Sequence, residues 1–319
     1  QRRVSRTVDV KIKRSMLLNT SAGWIPVIFS GGGGYLVGGG IGWTTLDGNQ
    51  PIIVLFEDTL DGALNNVIMP ILTSGKIPQD RLDFVKTLHS EDKEAYLRIV
   101  KNFYMPFIKQ QFSGFKNKDE IKNTLMLSII RHEGRHGVGQ YSLNNWTWQE
   151  SVTYLESARD IPYFQWADIL TNYDENMDRF KGITRRVGEV SKKPFKAEKL
   201  DGRIDWPQYE IWLREIGLLV KEGEPLPSKE FLQDLALKVS AKFRKDDIEI
   251  ISDIDQPATD EVGKKIATGG DVKLDAVVAY SARTGEVYDA FSTSSTPSSA
   301  KVDRAMKSDS SKDTREGVG

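Results

Sequence analysis

The sequence predicts an α+β protein: a β-rich N-terminal part packed on a helical core, then further helices and a C-terminal β-hairpin. Three observations carry this. Residues 8–56 hold alternating or short apolar runs bounded by glycine, proline and aspartate, as strands do. Residues 80–243 place apolar side chains at helical spacing behind acidic starts. Residues 274–291 hold two more short apolar runs about Arg283-Thr284-Gly285.

Val8 to Lys13 alternates apolar and charged, which suits a half-buried strand. Trp24 to Phe29 and Pro51 to Phe56 are unbroken apolar runs, expected as buried strands. Between Ser15 and Leu46 no residue is charged, and Ser30 to Gly42 reads SGGGGYLVGGGIG. A phosphate-cradling loop needs GxGxxG or GxxxxGK[ST], and neither register occurs there. Trp24 and Trp43 bracket a stretch long enough for membrane contact, with Gly34 and Gly38 spaced for close helix approach. So many glycines make a poor helix, however, and the favoured expectation is a glycine-rich hairpin or loop lying open beside a cleft.

Helices are expected over Asp80 to His89, Asp92 to Phe103, Asp119 to His136, and Trp146 to Arg159 with Asn145 as N-cap. Two more are expected over Trp206 to Val220 and Ser228 to Phe243, on either side of the breaker Gly223 to Pro227. Strands return at Ile248 to Ile251 and in the hairpin of Leu274 to Tyr280 with Glu286 to Phe291. Ser292 to Gly319 has almost no large apolar group and is expected to be disordered. The corresponding division is 1–200 as the main domain, 201–291 as a smaller helical and hairpin region, and 292–319 as a tail.

Apolar residues make up 39% of the chain and charged residues 28%, the balance of a soluble globular protein. The absence of cysteine excludes disulfides, thiolate nucleophiles and iron–sulfur clusters, so any metal must be held by histidine and carboxylate. A net charge of −1 argues against a nucleic-acid-binding face. Basic runs at Arg2 to Arg14 and Arg179 to Lys199 read as solvated surface and a basic strand edge. The chain opens on Gln1 and shows no signal peptide, which leaves an intracellular or virion-associated setting as the expectation.

The chemistry concentrates at His132-Glu133-Gly134-Arg135-His136, an HExxH sequence. Residues four apart share one face of a helix, so two imidazoles at this spacing can reach a single tetrahedral Zn²⁺. The intervening Glu133 opens on the same mouth and can take a proton from a water activated there. The chain has only three histidines, and two of them stand in this register. Ile121, Leu125 and Ile129 form an apolar stripe that runs on into His132 and His136, with Asn117 to Glu120 as a polar start and Gly137 as a possible left-handed stop. Gly134 inside the motif costs the helix about 1 kcal/mol. His89 reads as an ordinary surface residue.

A catalytic zinc needs a third ligand and an open position. With no further histidine downstream, that ligand must be a carboxylate. The stretch Trp146 to Ser157 resembles the second-helix region of the gluzincin peptidases, and the resemblance covers about forty residues, 117–160. It implies a zincin-like core, bound zinc and a glutamate ligand from this helix. Glu150 stands between the apolar neighbours Trp148, Val152 and Tyr154; Glu156 begins an ExxxD with Asp160 but has polar neighbours. Glu150 is favoured and Glu156 stays open. Tyr154, Tyr163 and Tyr173 are candidates to stabilise an oxyanion. Tyr35 to Trp43, or Ile52 to Phe56, is a candidate strand for binding an extended substrate.

The function expected from these residues is zinc-dependent hydrolysis of a peptide or protein substrate. The alternative is a structural or assembly component of a larger particle, such as a virion, on the same kind of scaffold. Membrane action through Trp24 to Trp43 is a third reading. Ser–His–acid chemistry lacks a GxSxG elbow.

Overall fold

The apolar runs near the N-terminus pair into a mixed four-stranded sheet, ordered β1-β2-β4-β3, in the computed structural model of the chain. The structure describes residues 12–20, 23–30, 41–47, 50–137, 146–173 and 177–252. Most of the strand expected at Val8 to Lys13, the glycines at 31–34 and 38–40, Asn145, the 274–291 hairpin and the 292–319 tail therefore lie outside the described residues.

Strand β1 (Ile12–Thr20) runs antiparallel to β2 (Gly23–Ser30), β2 is parallel to β4 (Gln50–Phe56), and β4 is antiparallel to β3 (Gly42–Asp47). The central strand carries an unbroken apolar run because both of its faces are covered: Ile53, Val54, Leu55 and Phe56 are all fully buried. The register pairs Leu18 with Ile25, Val27 with Ile53, and Leu55 with Gly42. Side chains alternate along a strand, so Leu18, Ile53 and Gly42 all belong to one face of the sheet. The described ends of the Trp24 to Trp43 stretch are strands, and no helix among the described residues is long and apolar enough to cross a membrane.

The helices follow: α1 (Glu57–Ala63), α2 (Met69–Ser74), α3 (Gln79–Thr87), α4 (Ser90–Ile99), α5 (Met105–Phe112), α6 (Lys118–Gly137), α7 (Trp146–Ser157), α8 (Pro162–Thr171), α9 (Met177–Val190), α10 (Trp206–Glu215) and α11 (Lys229–Ser252). Two π turns, Leu64–Ile68 and Val100–Tyr104, connect α1 to α2 and α4 to α5. Each lies just ahead of a proline, Pro70 or Pro106. Proline has no N–H and crowds the carbonyl four residues back, so a wider turn lets the helix pass through it. The helix expected to end at Phe103 in fact continues helical to Phe112.

Two expectations are corrected. Ile248 to Ile251 is not a strand; α11 runs through it to Ser252, with no glycine or proline after Lys229 to break the helix. The helix expected to reach Val220 ends at Glu215. Gly217 takes a left-handed φ of 79°, and its N–H and that of Leu218 donate to Arg214 O and Leu213 O, which closes the helix.

The chain divides into two compact units. Of the described residues, the first takes in the sheet, the start of α1 and α6 from Leu125 onward; the second takes in those between 62 and 124 and between 142 and 250. In the first, the C-terminal half of α6 packs on the sheet face that carries Leu18, Ile53 and Gly42. The second is a helical assembly around aromatic rings. Trp206, 1% exposed, meets Tyr96 edge-on at 4.8 Å and Tyr209 at 5.3 Å. Tyr209 stacks on Trp212 and donates its hydroxyl to Leu170 O at 2.7 Å. Helix α10 packs on α4 within this unit.

Candidate metal centre

Helix α6 starts where reciprocal bonds fix it. The Asn117 side chain accepts from Glu120 N at 3.0 Å, and the Glu120 carboxylate accepts from Lys116 N at 2.9 Å. The first bond satisfies one of the N–H groups a helix start leaves over, and the second ties the preceding chain to the first turn. Beyond the start, the helix buries two different flanks. At 100° per residue, Ile121, Leu125 and Ser128 lie on one line, and all three are buried. The same line runs on to His132 and His136, which are half-buried. Ile130, Glu133 and Gly134 are also buried and centre on the opposite side of the helix, about 150° around; there Glu133 meets Gly42, and Gly134 meets Leu18 and Ile53, while Ile129 between the two sides is half-buried. The apolar stripe expected to lead into the histidines is therefore present, but the tightest packing at this end belongs to Glu133 and Gly134.

Gly134 has a packing reason to be glycine. A Cβ there would lie 2.8 Å from Leu18 Cδ2 on β1 and 3.9 Å from Ile53 Cδ1 on β4. Removing the side chain lets the helix approach the sheet, which offsets the propensity it costs.

The rings of His132 and His136 stand 5.1 Å apart at their centroids, at an angle of 67°. With Glu150 on α7 they form a group of three metal-ligating side chains whose donor atoms all lie within 4.8 Å of one another. All three are partly exposed. Zinc bonds of about 2.0–2.2 Å at tetrahedral angles set donors roughly 3.4 Å apart, which small side-chain rotations reach. Two imidazoles and one carboxylate can hold a metal ion and leave a coordination position open. Glu156, the rival ligand, stands six residues after Glu150 and so about 240° around the helix, and it joins no such group among the described residues.

Of the three tyrosines, Tyr163 donates its hydroxyl to Pro227 O at 2.7 Å and Tyr173 donates to Gly202 O at 3.3 Å. Tyr154 lies one helical turn after Glu150, on the same face of α7. Burial pushes its hydroxyl up to about 12; Arg179 opposes that shift, and Asp168 and Glu150 add to it. The Arg179 guanidinium sits 3.9 Å over the Tyr154 ring. Burial likewise raises the Asp168 carboxyl, against the pull of Arg81 and Arg179. His89 is exposed, just ahead of α4, as expected of a surface residue.

Arg179, Asp168 and Gly42 carry parts of this arrangement that the sequence reading missed. The run from Arg179 to Lys199 begins as helix α9, and it is not all solvated surface, because several of its cations are engaged: Arg179 is buried on Tyr154, Arg186 lies 3.9 Å over the Phe243 ring, and Lys181 pairs with Glu198 at 2.6 Å. The signal available was the seven-residue spacing of Arg179 and Arg186 on one helical face. Of the candidate substrate strands, Ile52 to Phe56 is inside the sheet with a partner on each side, while most of Tyr35 to Trp43 lies outside the described residues; its last two residues, Gly42 and Trp43, open edge strand β3, where Gly42 stands beside Glu133. No protein-family model, curated protein or solved structure matches the chain.

Proposed function

We propose that the chain is a zinc-dependent hydrolase of peptide bonds, with His132, His136 and Glu150 as metal ligands and Glu133 as general base. The observation that carries the reading is the convergence of these three ligands within 4.8 Å, two of them one helical turn apart around a glutamate. When bound, zinc acidifies a water molecule and polarises the substrate carbonyl. The remaining work falls to the chain. Glu133 accepts the proton of the attacking water on its carboxylate and delivers it to the departing amine. Tyr154, protonated across the physiological range, supplies an O–H to the oxygen on which negative charge develops. The outer edge of β3 offers backbone N–H and C=O groups to an extended substrate.

The test is Glu133→Gln in the zinc-loaded chain, assayed on a mixture of unstructured peptides. Zinc stoichiometry is expected to hold while turnover falls by about 10²–10⁴-fold. Unchanged turnover removes Glu133 as the base. A wild-type chain that holds zinc yet cleaves nothing returns the site to a structural role in an assembly.

A further inference from the structure

The motif supplies a base, but a carboxylate on a flexible stem must also be aimed. We propose that the backbone of Gly42, at the start of edge strand β3, is the seat that positions the Glu133 carboxylate. The inference rests on the reading of Glu133 as the base and concerns what sets its direction.

A Cβ built on Gly42 would lie 2.8 Å from Glu133 Cγ, 2.8 Å from Glu133 Oε1 and 2.8 Å from Ile129 Cγ2. Real Cβ atoms do not come that close to neighbours, so the strand and the glutamate touch only because position 42 lacks a side chain. The strand cannot retreat cheaply. Gly42 is in register with Leu55 of the buried central strand, and Phe56 N–H donates to Ile41 O at 2.7 Å immediately before it. The helix is held as well, since Gly134 meets Leu18 and Ile53 on the same sheet face. Glu133 is thus fixed at its Cα by the helix-to-sheet contact and along its stem by the Gly42 backbone. It is only 9% exposed, while the two histidines beside it are half-buried. The sheet aims the base. Positional tolerances of this order matter for proton transfer, where a misplacement near 1 Å costs on the order of 10²-fold.

The test is a double-mutant cycle on the full-length, metal-free chain, which needs neither zinc nor turnover. Thermal unfolding is measured for wild type, Gly42→Ala, Glu133→Ala and the double variant. Gly42→Ala is expected to lower the midpoint by about 5 °C, the scale of an overpacked contact in a unit of this size. In the Glu133→Ala background that loss should shrink to less than half, because one of the two blocking side chains is gone. An equal loss in both backgrounds, or a double variant that fails to fold when Gly42→Ala fails, overturns the proposal and leaves Ile129 as the contact that matters. In the zinc-loaded chain, Gly42→Ala should lower kcat at least 10-fold with KM and zinc affinity unchanged. A fall in zinc affinity instead, or kcat held at the wild-type value, also counts against it. A wild-type chain with no turnover sinks the peptidase reading, and the unfolding cycle still decides the seat.

Discussion

The two units of the chain solve the burial of helices by different means. In the first, an aliphatic sheet face meets α6 at glycines, and the close approach of backbone to helix fixes Glu133 and Gly134. In the second, large rings meet edge to edge, and charged groups are taken inside with partners: Arg81 donates to Thr171 O at 2.9 Å, and Arg179 lies over Tyr154. The contact of Gly42 with the Glu133 stem leaves no room for a side chain, so it is suited to aiming that carboxylate. An aromatic cluster contributes large buried area and tolerates small shifts, so it is suited to stability. The difference assigns positioning to the first unit and most of the single-residue stability to the second.

The largest expected effect lies in the aromatic cluster. Trp206→Ala empties a site that touches Phe84, Tyr96, Tyr173 and Tyr209, and should cost about 3–5 kcal/mol by chemical denaturation. A loss below about 1 kcal/mol would mean that these rings repack freely, and the contrast between the units would fail. Next comes Arg179→Ala, which strips a buried cation from Tyr154 and from the neighbourhood of Asp168; a cost of about 2–3 kcal/mol is expected, with Arg179→Lys recovering part of it. If lysine performs as well as arginine, the planar stacking contributes nothing. Asp168 adds a dependence on pH. Its folded-state carboxyl is raised by burial, so the folded chain holds a proton that the unfolded chain has released. Stability should therefore fall as pH rises from the usual aspartate range through the raised value, and Asp168→Asn should flatten that slope. The smallest effect is expected at Gly134→Ala, about 1 kcal/mol or less. The added methyl gains helix propensity, and its one tight neighbour is the terminal Cδ2 of Leu18, which a rotamer change can withdraw, unlike the stem and branched carbons that face Gly42. A larger loss there would place rigidity on both sides of the helix.

Much of this was legible in residue order because it depends on local periodicity. The unbroken apolar run of Pro51 to Phe56 marked a strand covered on both faces, and the spacing of His132 and His136 placed both imidazoles on one side of a helix. Glu150 was chosen for its apolar neighbours, and it is the carboxylate that stands with the two histidines. What stayed hidden depends on which segments meet. Gly42 is one glycine among many until the register sets it opposite Leu55 and beneath Glu133. The helix expected to end at Phe103 runs on through Pro106 because a π turn, which no residue type announces, accommodates the proline. Ile248 to Ile251 read as a strand from its β-branched residues, but a helix propagating from Lys229 without a breaker overrides that preference.

The central claim is that His132, His136 and Glu150 act together as ligands. Metal analysis of the full-length chain after equilibration with zinc and removal of the excess tests it most directly, run beside His136→Ala, Glu150→Ala and Glu156→Ala. One zinc per chain is expected in wild type and in Glu156→Ala, no retained zinc in His136→Ala, and affinity weaker by about 100-fold or more in Glu150→Ala. A wild-type chain that retains no zinc, or a Glu150→Ala chain that binds it as tightly as wild type, would contradict the account.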